Sequence, residues 1–151
     1  MKLFTALSLA AVLSTPVMAD TWVGSGTMYS PDREPMATYD VVVEQSAPVA
    51  GQITSNIEVT DESGDVMTLT CDVFMFTKAW RKTCSDGQEG GGYSFDLGMA
   101  TEYTNLPDGR SFATTLINDS EDAIRILRTE LLGDTVLSFA VESYTKQDAA
   151  E

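Results

Sequence analysis

The side chains able to do chemistry are few and lopsided. Twenty-three Asp and Glu stand against nine Lys and Arg, and the 151 residues include no histidine. Without an imidazole there is no Ser-His-Asp or Cys-His catalysis, and no histidine-ligated haem, zinc or copper. A reaction would have to run on carboxylates, lysine, tyrosine or a hydroxyl. No two carboxylates can be assigned the separation of a glycosidase dyad. The acidic stretch Asp61-Glu62-Ser63-Gly64-Asp65 reads as a solvated hairpin turn, because a calcium loop needs a longer ladder of oxygen ligands and a distal glutamate. Residues 85–92, SDGQEGGG, lack the Lys-Ser/Thr and helix start of a phosphate loop and read as a flexible turn. The expectation is a protein that is not an enzyme and carries no cofactor or metal.

Two cysteines, Cys71 and Cys84, are the other reactive groups. In an exported chain one intramolecular disulfide is the default, and the spacing is not that of a redox CxxC pair. The stretch VMTLTCDVFMF reads as a strand, TKAW as a turn and WRKTC as the returning strand. Opposed residues in an antiparallel pair have a constant sum of residue numbers. A turn centred between Thr77 and Lys78 sets that sum at 155, which Cys71 and Cys84 share. They would face each other and bridge, closing a loop worth about 3 kcal/mol. A disulfide between strands that are not neighbours is the alternative.

The same hairpin supplies a candidate binding group. Period two puts Met67, Leu69, Cys71, Val73 and Met75 on one face, with Trp80, Lys82 and Cys84 on the return. If that face is interior, Lys82 is a cation beside Trp80 and Met75 in an apolar cavity. It would suit the carboxylate or phosphate head of an amphipathic ligand. Tyr39, Phe95, Met99, Phe112 and Phe139 are further inward candidates. Tyr39, Phe95 and Phe112 join Lys82, Trp80 and Met75 as the ligand-binding set. The plain alternative is that Lys78, Arg81 and Lys82 form a solvated turn; the opposite parity would bring Phe74 and Phe76 inside with Thr68, Thr70 and Asp72 and supply no cation.

The elements that must position these groups are strands. Residues 1–19, MKLFTALSLAAVLSTPVMA, have one positive charge, a short apolar run and small residues before a cut after Ala19. That is a secretory signal, too short to span a bilayer. It implies a periplasmic protein of a Gram-negative bacterium, with no membrane span once the signal is removed. Losing Lys2 with the signal takes the net charge from −14 to −15. Such a chain repels nucleic acid and anionic membrane surfaces. The remainder shows alternation throughout, as in GQITSNIEVTDE and TYDVVVEQ, with turns at Pro48–Gly51, residues 61–65 and LPDGR. YSFDLGM reads as one strand with Tyr93, Phe95, Leu97 and Met99 on one face and a bulge or bend at Gly98. NDSEDAIRILRTELLGD (Asn118–Asp134) fits a capped helix over 120–132. It also fits a strand with a hairpin turn at Gly133-Asp134, and the β context favours the strand. The expected architecture is all-β: a single antiparallel up-and-down barrel of eight to ten strands over residues 20–146, followed by a disordered tail over 147–151.

The opening stretch TWVGSGTMYS sets Trp22, Gly24 and Gly26 on one face. With the two mid-chain cysteines, this start resembles the first strand of lipocalin-like, or calycin, barrels and of small exported barrel proteins of Gram-negative bacteria. The resemblance implies that Trp22 plugs one barrel end and that the glycines let the strand bend. It also implies that an arginine from the late strands, Arg125 or Arg128, packs over the tryptophan. Asp20 stands where lipocalins usually have a glycine. The haem-binding relatives use a histidine that this chain lacks. Two functions follow: a barrel binding a small apolar or amphipathic ligand, or a filled barrel acting through its acidic surface on a basic protein partner.

Overall fold

The computed structural model describes residues 20–95 and 98–147, all within or between ten strands. The strands are β1 (Asp20–Tyr29), β2 (Pro35–Gln45), β3 (Gln52–Asp61), β4 (Val66–Met75) and β5 (Ala79–Cys84), then β6 (Glu89–Phe95), β7 (Met99–Asn105), β8 (Arg110–Ser120), β9 (Ala123–Leu132) and β10 (Thr135–Gln147). Each pairs antiparallel with the next, and β1 pairs with β10, closing the barrel. The fold is the expected all-β up-and-down barrel, at the upper end of the expected strand number. The signal expected at 1–19 lies outside the described residues, as does the tail beyond Gln147. Gln147 itself belongs to β10.

Alternation decides which side chains fill the lumen. Val41 and Val43, Ile57 and Val59, Leu69 and Val73, and Ile124 and Ile126 point inward and are buried, while their neighbours along each strand are wet or half-wet. Burying branched side chains on one face of each strand favours the closed sheet by about 25 cal/mol per Å² of apolar area. The β4–β5 register sets Cys71 opposite Cys84, Val73 opposite Lys82 and Met75 opposite Trp80. The two cysteines form the disulfide. Residues 123–132 form strand β9, with Gly133 at φ 58° in the turn to β10, so the helix alternative over 120–132 is not adopted.

Three local expectations are corrected. The glycines of residues 85–92 are not all loop, because Gly90, Gly91 and Gly92 lie inside β6. YSFDLGM is not one strand: β6 ends at Phe95, β7 begins at Met99, and Gly98 sits between them at φ 72°, a backbone state costly for other residues. The face carrying Tyr93, Phe95 and Met99 points outward. The lumen side of β6 and β7 is given to Gly90, Gly92, Ala100, Glu102 and Thr104.

Candidate functional site

The lumen holds two carboxylate hubs. Glu102 on β7 accepts a hydrogen bond from Trp80 Nε1 at 2.9 Å and one from Thr104 Oγ1 at 3.0 Å, and it pairs with the Lys82 ammonium. Glu142 on β10 accepts from Tyr39 OH at 2.6 Å, Tyr144 OH at 2.7 Å and Arg128 at 2.7 Å. Arg128 also lies 5.5 Å from the centroid of the Phe112 ring. Charges this deep persist only when paired and hydrogen-bonded. Here two carboxylates meet two cations.

Burial sets the titration of these groups. It raises the Tyr39 and Tyr144 hydroxyls above their usual value, and the Glu142 charge adds to the effect. Burial lowers the Lys82 ammonium, against the pull of Glu102. For Arg128 burial works against the charge, but Glu142 and its neighbours outweigh it and the pKa is raised.

The lumen at this level is occupied. Lys82 is 1 % exposed, Glu142 0 % and Trp80 2 %. The aromatic rings fit because glycine faces them. A Cβ on Gly92 would sit 2.2 Å from Trp80 Cζ2, and one on Gly24 or Gly26 would sit 2.5 Å from Tyr144 Cδ1 or 2.4 Å from Tyr39 Cζ. Gly24 and Gly26, which the sequence gives the role of letting β1 bend, clear space for tyrosine rings.

The ligand-binding set is thus split. Lys82, Trp80, Tyr39 and Phe112 are lumen residues, and Met75 is half-buried beside them. Phe95 is not with them: it is 49 % exposed, its ring edge-on to Tyr93 at a centroid distance of 5.4 Å. Met99 is likewise outside. Trp22 is buried at the end where β1 starts. Neither arginine covers it. Arg125 is on the outer surface, bonded to Asp119 at 2.6 Å and 2.7 Å, and Arg128 serves Glu142. Lys146 takes the place over Trp22, 6.0 Å from its ring centroid. The hubs themselves escaped sequence reasoning. Each offers one signal, a glutamate in an alternating strand, and taking Met99 and Phe139 as inward puts both glutamates outside.

The outer wall is two-sided. From 35 to 75, across β2 to β4, the chain carries seven Asp and Glu and no Lys or Arg. Across β6 to β9 the outward positions near mid-barrel are Gly91, Tyr93, Thr101, Tyr103, Ala113, Thr115, Leu127 and Thr129, none of them charged. Together with Gly92, Glu102 and Thr114 they line an open groove of about 670 Å³. Its walls are pinned apart: Tyr93 leans on Phe95, and Tyr103 donates its hydroxyl to Ser111 Oγ at 2.8 Å. Among the described residues no helix is long and apolar enough to cross a membrane.

No known family profile matches the sequence, and no curated protein matches it either. Solved structures do. An S-type phycobiliprotein lyase from Guillardia theta superposes with a TM-score of 0.66 at 8 % identity, over 87 % of this chain and 89 % of that one. A DUF3598-family protein of unknown function from Nostoc punctiforme gives 0.66 at 11 % identity, over 86 % of this chain and 48 % of its own length. A de novo designed fluorescence-activating barrel gives 0.45 at 14 % identity over 86 % and 94 %. At such identities the first two matches show fold alone: this chain is a small lipocalin-like β-barrel.

Proposed function

We propose that this chain is an exported, non-catalytic barrel that works by binding a protein through its outer wall. The observation that carries the reading is the contrast between lumen and surface. Lys82, the cation best placed to greet a ligand head group, is spent on Glu102, and both are buried. Outside, a groove whose outward-facing side chains are uncharged and include Tyr93 and Tyr103 lies on a chain of net charge −14. Uncharged aromatic patches on otherwise charged surfaces are typical of protein-binding sites. Export is supported by the disulfide and by residues 1–19, whose cleavage after Ala19 would leave Asp20, the first residue of β1, at the new amino end. Asp40, Glu44, Glu58 and Asp72 alternate outward along β2 to β4. They would face lipid if the barrel were inserted in a membrane, which argues for a barrel in water.

A second reading, a small apolar or amphipathic guest in the lumen, has one observation in its favour. Trp22 Nε1 and Arg128 Nε are buried donors with no partner, and such groups ask for an acceptor. The fold it shares with a phycobiliprotein lyase is compatible with that reading. Native mass spectrometry of the protein purified from its own periplasm without detergent separates the two. The outer-wall reading expects a bare lumen. A small molecule retained in the native spectrum and lost on denaturation would overturn it in favour of the guest.

A further inference from the structure

We infer that the partner on the β6–β9 wall is a second copy of this chain, docked about a two-fold axis that runs across the strands. The inference rests on the outer-wall reading and names its occupant. Three of the four strands present one large and one small outward residue two positions apart. β6 presents Gly91 and Tyr93, β7 Thr101 and Tyr103, and β9 Leu127 and Thr129, while β8 presents Ala113 and Thr115. The register aligns them in two rows. Gly91, Tyr103, Ala113 and Thr129 form one, and Tyr93, Thr101, Thr115 and Leu127 the other. An isologous contact requires a patch that is complementary to itself. A two-fold axis between the rows exchanges them. Tyr93 of one copy then lies over Gly91 of the other, Tyr103 over Thr101, and Leu127 over Thr129, with Ala113 meeting Thr115. Every bulky side chain finds a small one, on all three strands that carry both.

Charge selects the same occupant. Two copies with net charge −14 each repel. They can meet only where carboxylates are missing, and none of the eight positions is acidic. A basic partner would gain nothing from this wall and would be drawn to β2–β4, where seven acids stand without a cation. The two occupants also differ in the sign of their salt dependence. Screening strengthens the pairing of like-charged copies and weakens the capture of a basic protein.

The test is sedimentation equilibrium on the disulfide-bonded mature protein, from roughly 1 to 100 µM, a range that spans ordinary transient dimers. A monomer–dimer equilibrium should tighten as salt is raised from about 20 to about 300 mM NaCl. Ala113→Arg, at the centre of the contact, should weaken it about thirtyfold or more. Thr68→Arg, with the same added charge on the outer face of β4, should not weaken it. A monomer throughout, or equal effects of the two variants, overturns the inference. To separate its failure from that of the outer-wall reading, a photocrosslinking residue is placed at Thr115 in the producing cells. An adduct of twice the chain mass supports the second copy. An adduct of another mass overturns the second copy and leaves the outer wall standing. Adducts from position 58 on the acidic side, with none from position 115, overturn both.

Discussion

Replacing Lys82 by Met removes a charge while keeping the length and most of the packing of the stem. In the native barrel Lys82 and Glu102 pair with side-chain exposures of 0 % and 1 %. The variant leaves Glu102 in the lumen with its hydrogen bonds from Trp80 and Thr104 intact but its counter-charge gone. Breaking one side of a buried pair costs about 3–5 kcal/mol. The two surviving donors place this case near 3 kcal/mol, a large share of the roughly 5–15 kcal/mol that holds a domain together. Adding Glu102→Gln removes the stranded charge and keeps an acceptor for Trp80. The double variant should therefore recover about 2 kcal/mol of the loss, and a double-mutant cycle reports that coupling. Equilibrium urea unfolding followed by tryptophan fluorescence, with the disulfide intact, measures all four proteins. A single-variant loss below about 1 kcal/mol, or a double variant as unstable as the two singles added, would refute a sealed, charge-paired lumen.

The remaining expectations concern the lumen and its staples. Tyr39 and Tyr144 have native pKa values raised above the ordinary 10.0, so their contribution is intact below pH 10 and is lost as pH rises from there. Each loses about 1.4 kcal/mol per pH unit, or about 3 kcal/mol for the pair at pH 11. Lys82, with its pKa lowered, acts in the opposite direction only below 10.5 and cannot offset the loss beyond that. Urea melts at about pH 10.5 and 11.5, above the range in which Lys82 opposes the trend, check this together with tyrosinate absorbance. Gly92→Ala should cost about 3 kcal/mol or more, since its Cβ would meet Thr101 O at 2.3 Å as well as the Trp80 ring. Gly109→Ala, at φ 88° with nothing within 4 Å, should cost only about 1–2 kcal/mol. Thermal melts of the two variants make the comparison. Removing the disulfide by Cys71→Ala with Cys84→Ala should cost about 3 kcal/mol for its 13-residue separation, read from denaturant midpoints.

Much of the frame is written locally. Turn chemistry at Asp61–Asp65 and Leu106–Arg110 and alternation along each strand mark the hairpins. The shared sum of Cys71 and Cys84 carries the β4–β5 register and so the inward aim of Lys82 and Trp80. What period two does not carry is which face looks in. On β6 and β7 the aromatic face looks out, because the lumen beside Gly92 is already filled by the Trp80 ring, and register then fixes every neighbour. The hubs are long-range as well. Tyr39 and Glu142 are 103 positions apart, and Trp80 and Glu102 are 22 apart. Only the closed barrel brings such partners together, so nothing in either local stretch announces the pair. Arg128 shows the same limit: β9 tells of its inward parity, while its partner comes from the next strand and its ring contact from the previous one.

The seam between β1 and β10 joins Thr21 to Gln147, pairing the first strand with the last among the described residues, and this has a consequence for timing. A chain delivered amino end first can form the hairpins from β1 to β9 as they emerge. It cannot close until the thirteen residues of β10 arrive. Until then β1 and β9 are both open edges, each a template for pairing with another unfinished chain. Glu142 and Tyr144 arrive with that last strand, so Arg128 and Tyr39 wait for the carboxylate that neutralises and satisfies them. Closing so long a loop is slow compared with zipping a hairpin. The barrel therefore passes through its most aggregation-prone state immediately before completion, and the same strand that ends this exposure also delivers the charge that completes the lumen.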